Sequence, residues 1–167
     1  MDERNIPIVP KSYQLYHAAA GANYQESVSI IRPSDATGYF DRSSLTKEAV
    51  NGGNDVVEEK IPLITIDSLL LQYQQQGQQQ QQQQNDHHHP IGLVKLDVQG
   101  NEYGVLEGMR ETLASPSRRP RYVFYEEVAD LVIKAGYRPG QCQELLESYG
   151  YSCKPEGTGD IVCEKST

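Results

Sequence analysis

The stretch from residue 91 to residue 108 constrains the fold more than any other part of this 167-residue chain. Residues 91–98 are almost continuously apolar, as in a parallel strand covered on both faces, and Asp97 interrupts the run near its carboxyl end. A helical pattern follows at once. Because open α/β sheets bind ligands beyond the carboxyl ends of their strands, we expect Asp97 to lie beside a binding crevice.

The helix after this strand leads into a second strand. Its apolar stripe is spaced as on one face of a helix and consists of Tyr103, Leu106, Met109 and Leu113. Residues 121–125 are again extended and apolar, and they end at Glu126. Strand, helix and strand together form a crossover unit of ordinary length, which predicts an α/β fold.

The segments on either side of this unit also carry recognisable patterns. Upstream, extended runs at residues 13–20, 24–31 and 56–66 predict strands, and Asp67 is placed to cap a short helix over residues 68–74. Downstream lies a predicted helix with two short strands after it. The strands cover residues 151–154 and 160–164 and flank a Gly-Thr-Gly turn, which indicates an antiparallel hairpin at a sheet edge.

Residues 72–90 form a Gln/His-rich insertion, with eleven glutamines and three histidines between residues 72 and 89. Such a tract lacks the apolar area needed to offset the entropy of ordering, so we expect it to be disordered or transiently helical. An interaction role through the glutamines is one alternative. Metal binding by His87, His88 and His89 is disfavoured, because consecutive histidines do not share a helix face.

The charge balance excludes several classes of partner. With 23 acidic residues against 15 lysines and arginines the net charge is −8, which disfavours binding to nucleic acid or to an anionic membrane surface. No run has the pattern of a signal peptide or the length of a membrane span, so a cytoplasmic location is the default expectation.

Three cysteines, Cys142, Cys153 and Cys163, lie in the last quarter of the chain without CxxC spacing. Cys153 and Cys163 could meet on the predicted hairpin. An odd number of cysteines without a secretory signal nevertheless favours free, packed thiols. Their spacing predicts no metal site.

Asp97 and Glu126 both end predicted strands, and these acids converge if the two strands are neighbours. Converging carboxylates can act as a general base or can hold a divalent cation through oxygen. Two alternatives involve no ligand. Glu126 would then be solvated at a strand end, and Asp97 would cap a helix or bind loop backbone.

Together these segments resemble the FkbM-type S-adenosylmethionine-dependent methyltransferases. The family signature is a strand of the form Leu-Leu-Lys-Ile-Asp-Val-Glu-Gly, a Glu two residues later, and a helix reading Val-Leu-x-Gly. Residues 93–100 follow the strand pattern, Glu102 follows at the right distance, and residues 105–108 read Val-Leu-Glu-Gly. One departure is Gln99, where the family has Glu.

Three further segments extend the resemblance to roughly residues 13–164. Residues 64–67 are similar to the family's Thr-Leu-Asp segment, and residues 123–126 to its next acid-terminated strand. Residues 150 and 151 match a Gly-Tyr near the family's end. The ordered set is more specific than any single motif.

The resemblance implies a Rossmann-like, mostly parallel sheet with a carboxyl-terminal antiparallel hairpin. It also implies methyl transfer from S-adenosylmethionine to an oxygen of a small molecule or sugar. By this resemblance Asp97 is the central site acid, with Lys95 and Glu126 near it and Glu102 at the helix start. An alternative for Lys95 is that it only pairs with an acid. No metal ligand is assigned.

The family's first two strands and its Gly-rich cofactor turn have no counterpart in the sequence, so the cofactor-binding residues are unknown. We therefore expect residues 1–12 to be a tail and residues 13–167 to be a partial methyltransferase domain.

Loss of the first strand would expose one edge of the strand at 91–98 and invite self-association. Three readings stay open: an incomplete gene product, a second polypeptide that supplies the strands, or a rearranged sheet. The functional alternative is a non-catalytic remnant or a polyglutamine interaction protein.

Overall fold

The computed structural model describes residues 16–33, 45, 56–80 and 91–166. In chain order its elements are β1 (Ala19–Ala20), β2 (Gln25–Pro33), β3 (Val56–Ile64), α1 (Ile66–Gln80), β4 (Leu93–Leu96), α2 (Glu102–Glu107), α3 (Arg110–Ala114), β5 (Tyr122–Glu126), α4 (Ala129–Lys134), α5 (Gln141–Ser148), β6 (Tyr151–Glu156) and β7 (Asp160–Lys165). The predicted tail at residues 1–12, the start of the first predicted strand and the histidine run lie outside the described residues.

The strands form two sheets. One has the order β1-β3-β2 and the other the order β4-β5-β7-β6. The pairs β1/β3 and β4/β5 are parallel, whereas β2/β3, β5/β7 and β6/β7 are antiparallel. The α/β class is therefore confirmed, but the expectation of a mostly parallel sheet is wrong. The terminal hairpin causes much of the difference, because its second strand, β7, pairs with both β5 and β6.

Strand β4 lies at an edge of its sheet. Leu96 is buried, but Leu93 is 60% exposed and Lys95 is also exposed. The sequence prediction of a strand covered on both faces is therefore wrong for β4. Among the described strands, β4 therefore has one unpaired flank.

The core lies between the second sheet and helices α2, α3 and α5. The predicted apolar stripe is confirmed, since Leu106, Met109 and Leu113 are completely buried and Tyr103 packs at the margin of the core. The single predicted helix is divided into α2 and α3 at Gly108 and Met109. A Cβ at Gly108 would lie 2.1 Å from the Gly21 carbonyl oxygen, so a glycine is needed where the helix meets the end of β1.

Helix α1 begins earlier and ends later than the predicted helix over residues 68–74. Thr65, rather than Asp67, caps it: the Thr65 hydroxyl oxygen accepts a hydrogen bond from the backbone N–H of Ser68 at 3.0 Å. The helix continues through the first glutamines to Gln80. No helix in the described ranges is long and apolar enough to cross a membrane.

The terminal hairpin is confirmed, and it brings two of the three cysteines together. Cys153 lies directly opposite Cys163 in the β6/β7 register, and the two form a disulfide. The prediction of free thiols is therefore wrong for this pair, because the register brings their Cα atoms to 4.0 Å. Cys142 is free and buried.

Candidate active site

The carboxyl ends of β4 and β5 lie side by side. In this parallel pair Leu96 is aligned with Tyr125, so the next residues, Asp97 and Glu126, lie at the same level. Glu126 is also aligned with Asp160 at the start of β7. The strands predicted to be neighbours are therefore neighbours, and their terminal acids share one edge of the sheet.

The Asp97 carboxylate is held by two nearby side chains. The Gln99 Nε2 atom donates a hydrogen bond to Asp97 Oδ1 at 3.0 Å, and Lys95 Nζ lies 3.6 Å from Asp97 Oδ2. The Asp97 side chain is 51% exposed, so it remains open to solvent. Gln99 thus provides a hydrogen-bond donor to Asp97 where the family's usual Glu would place a second negative charge.

The turn between β4 and α2 has an unusual backbone. Gln99 has a φ of 53°, and Gly100 follows with a φ of 100°. An added Cβ at Gly100 would lie 2.6 Å from the Leu131 carbonyl oxygen of α4. Only glycine fits there, and the protein's own backbone fills the space beside it.

Glu102 lies beneath this turn and is only 3% exposed. Its Oε1 atom accepts hydrogen bonds from the backbone N–H of Val98 at 3.0 Å and of Gly100 at 3.3 Å. Its Oε2 atom is buried without a hydrogen-bond partner. Burial raises the pKa of Glu102 above its usual range, although its backbone hydrogen bonds oppose the shift. Of the four predicted site residues, Glu102 is therefore the one that is buried.

Asn101 connects the turn to the other sheet, which the sequence did not predict. Its Nδ2 atom donates to the carbonyl oxygen of Ala20 at 3.0 Å, and its Oδ1 accepts from the Tyr137 hydroxyl at 3.4 Å. Although Asn101 precedes α2, its side chain makes no helix-capping hydrogen bond. Ala20 and Tyr137 are 81 and 36 residues away from Asn101 in the sequence, so no local pattern could predict these contacts.

The two adjacent acids after β5 have different roles. Both carboxylate oxygens of Glu127 accept hydrogen bonds from the backbone N–H of Gly140, at 3.1 and 3.0 Å. Glu127 therefore holds the start of α5 and is not simply solvated at a strand end. Glu126, one residue earlier, is the acid at the level of Asp97.

Two buried groups behind the site are poor nucleophiles. Burial raises the pKa of the Cys142 thiol to about 12, so the thiol is protonated at neutral pH. The Tyr125 hydroxyl is fully buried without a hydrogen-bond partner, and burial raises its pKa as well. Neither group is therefore suited to covalent catalysis.

Two glycine turns among the described residues follow parallel strands, as the turn that binds a nucleotide cofactor does. Such a cofactor requires a glycine turn that leaves room for close backbone approach after a parallel strand. Gly100 follows β4, but the Leu131 backbone fills the space where a cofactor would approach it. Gly21 follows β1, but the next element is a strand and not a helix. Neither of these two glycine turns therefore leaves room for a cofactor to approach the backbone.

Comparison with known proteins agrees with this arrangement of strand, acid and helix. Residues 3–153 match the methyltransferase FkbM domain. No curated protein and no solved structure shows a significant match to the chain. Since the matched region covers most of the sequence, the chain belongs to the methyltransferase FkbM domain family.

Proposed function

We propose that this protein transfers a methyl group from S-adenosylmethionine to a hydroxyl oxygen of a small molecule or sugar. The observation that carries the proposal is the alignment of β4 with β5, which brings Asp97 and Glu126 to one edge of the sheet. In α/β sheets this edge is where ligands bind. Membership of the FkbM domain family supports S-adenosylmethionine as the methyl donor.

Asp97 is the proposed general base. As the acceptor oxygen bonds to the methyl group, its proton passes to Asp97, and S-adenosylhomocysteine is the second product. Asp97 is exposed enough to meet a substrate and already accepts a hydrogen bond from Gln99, which orients one of its oxygens. A positioned base of this kind contributes about 10²- to 10⁴-fold to a rate.

Lys95 and Glu126 have supporting roles in this proposal. The ammonium group of Lys95, 3.6 Å from Asp97, provides positive charge where the acceptor oxygen becomes more negative. Glu126 lies across the strand pair and accepts hydrogen bonds from further hydroxyl groups of the acceptor. These roles favour a polyhydroxylated acceptor such as a sugar.

The proposal is tested by incubating the full chain with methyl-labelled S-adenosylmethionine and a panel of hydroxyl compounds and sugars. We expect label to be transferred to at least one acceptor, and Asp97→Asn to lower kcat by about 100-fold or more. Lys134→Ala, a change on α4 outside the proposed site, is the control and should leave kcat unchanged. An Asp97→Asn variant with full activity would remove Asp97 from the mechanism.

An interaction role is the second candidate, and one observation favours it. Helix α1 carries the first glutamines, and Leu71 and Tyr73 on the same helix are 51% and 58% exposed. Exposed apolar surface of sufficient size marks partner-binding sites, and these two side chains contribute to such a surface on α1. Replacing both Leu71 and Tyr73 with serine would leave methyl transfer intact and abolish binding to a partner if this role is real.

Self-association through the β4 edge is a further part of the proposal. The flank of β4 that is unpaired among the described residues supports it, and sedimentation velocity over a range of concentrations tests it. The sequence alone favours a cytoplasmic location, but the Cys153–Cys163 disulfide argues against it, because disulfides are rare in reducing compartments. Trapping the thiols of the protein inside cells and counting the free ones decides the location.

A further inference from the structure

The Glu102 carboxylate binds the backbone on both sides of Gln99. Its Oε1 atom accepts from the N–H of Val98, just before Gln99, and from the N–H of Gly100, just after it. Between these two hydrogen bonds Gln99 has a φ of 53°, a left-handed conformation that a residue with a side chain adopts rarely. Glu102 therefore stabilises this conformation.

The backbone conformation of Gln99 in turn affects the orientation of the Asp97 side chain. From the turn, the Gln99 side chain reaches back two residues and donates to Asp97 Oδ1. The opposite side of the turn is fixed by the fit of Gly100 against Leu131. Contacts thus run without a gap from the buried carboxylate of Glu102, through the turn, to the exposed carboxylate of Asp97.

We infer that Glu102 is a positioning residue, which orients Asp97 by holding the Val98–Gly100 turn and does not itself contact the acceptor. This inference rests on the proposed function of Asp97 as the base. It gives a specific role to Glu102, which the family resemblance places among the site residues at the helix start.

Burial supports this role. A carboxyl group that is only 3% exposed cannot meet an acceptor at the surface. Leaving its Oε2 atom buried without a partner costs free energy, since buried polar atoms are normally hydrogen-bonded. The two hydrogen bonds of Oε1 offset that cost. Hydrogen bonds to a charged acceptor are about twice as strong as neutral ones, so an ionised carboxylate holds the turn more firmly than an amide would.

Amide hydrogen exchange of the ¹⁵N-labelled full chain tests the inference without requiring activity. In Glu102→Ala we expect exchange at the Val98 and Gly100 amides to rise about tenfold or more, and the Gln99 side-chain amide signals to move. In Glu102→Gln the uncharged amide oxygen should hold the turn less firmly, so exchange should rise about two- to fivefold. Glu107→Ala, which removes another acid from α2, is the matched control and should change neither.

Kinetics give the second readout. Glu102→Ala should lower kcat about tenfold or more while KM for the acceptor changes less than about threefold, because orientation of the base is lost and the binding surface is kept. Glu102→Gln should recover most of kcat. Should Glu102→Ala not fold, Glu102→Gln decides alone: altered exchange at both amides together with shifted Gln99 signals supports the inference.

Unchanged exchange at Val98 and Gly100, or faster exchange with Gln99 signals that do not move, would overturn the positioning role. Failure of the proposed function looks different. In that case the wild-type chain shows no methyl transfer, while the exchange experiment still reports whether Glu102 holds the turn.

Discussion

The carboxylate of Asp67 in α1 caps a different helix by binding Thr112 of α3. Asp67 Oδ1 accepts hydrogen bonds from the Thr112 backbone N–H at 2.9 Å and from the Thr112 hydroxyl at 2.5 Å, and Oδ2 accepts from the Glu111 N–H at 2.8 Å. The Asp67 N–H donates to the carbonyl oxygen of Gly108 at 3.0 Å. Asp67 therefore joins the helix that leads into the glutamines to the core of the domain.

Replacing Asp67 with alanine removes three hydrogen bonds to a charged acceptor at the first turn of α3. We expect the free energy of unfolding to fall by about 1 to 3 kcal/mol in Asp67→Ala, and by less in Asp67→Asn. Urea denaturation measures both. Asp130→Ala, an exposed acid in the first turn of α4, is the control and should change stability by about 0.5 kcal/mol or less. Equal effects at Asp67 and Asp130 would show that the cap contributes nothing beyond charge.

Substitutions at Gly100 and Gly136 separate the energetic cost of backbone strain from that of a steric collision. Both have a left-handed φ, 100° and 87°, but an added Cβ at Gly136 meets nothing within 4 Å. We expect Gly136→Ala to cost about 1 to 2 kcal/mol from the conformation alone. Gly100→Ala should cost about 3 kcal/mol or more, because its Cβ also collides with the Leu131 carbonyl oxygen. Equal losses of stability in thermal unfolding would contradict the close packing of the turn on α4.

Tyr125 and Tyr151 form a second matched pair. The Tyr125 hydroxyl is buried without a partner, whereas the Tyr151 hydroxyl donates to the Pro120 carbonyl oxygen at 2.6 Å. Tyr125→Phe should raise the free energy of unfolding by about 1 kcal/mol, since it removes an unsatisfied buried group. Tyr151→Phe should lower it by about 1 kcal/mol. If chemical denaturation shows the same loss for both variants, the Tyr125 hydroxyl has a hydrogen-bond partner in solution.

The disulfide between Cys153 and Cys163 closes a short loop across the terminal hairpin, with a sequence separation of 10. Closure of such a loop restricts the unfolded chain and contributes about 2 to 3 kcal/mol. Reduction with dithiothreitol should therefore lower the stability of the wild-type protein by about that amount. The double variant Cys153→Ala, Cys163→Ala should not respond to the reductant. A wild-type protein whose mass under non-reducing conditions shows three free thiols would contradict the pairing.

The parts of the fold that were predicted correctly depend on local patterns. Leu106, Met109 and Leu113 recur at helical spacing, and they are completely buried. The Gly-Thr-Gly turn at residues 157–159 indicated the hairpin that β6 and β7 form. The positions of Asp97 and Glu126 at strand ends were predicted because each interrupts an apolar run.

The parts that were missed depend on contacts between distant residues. Asp67 lies next to a predicted helix start, so the sequence suggested that it caps its own helix, whereas its partners lie 44 and 45 residues away. The burial of Glu102 could not be predicted, because a Glu at a helix start is usually solvated. Predicting the pairing of Cys153 with Cys163 required the hairpin register. The odd number of cysteines and the lack of a secretory signal favoured free thiols instead.

Binding of S-adenosylhomocysteine to the full-length chain, measured by isothermal titration calorimetry, tests the central claim most directly. If the protein is a working member of its family, the titration should show saturable binding with one site and micromolar affinity, and adenosine alone should bind much more weakly. Asp97→Asn should bind with unchanged affinity, because Asp97 acts on the acceptor. No heat of binding up to millimolar concentration would contradict the proposed methyl transfer and would identify the chain as a non-catalytic member of the family.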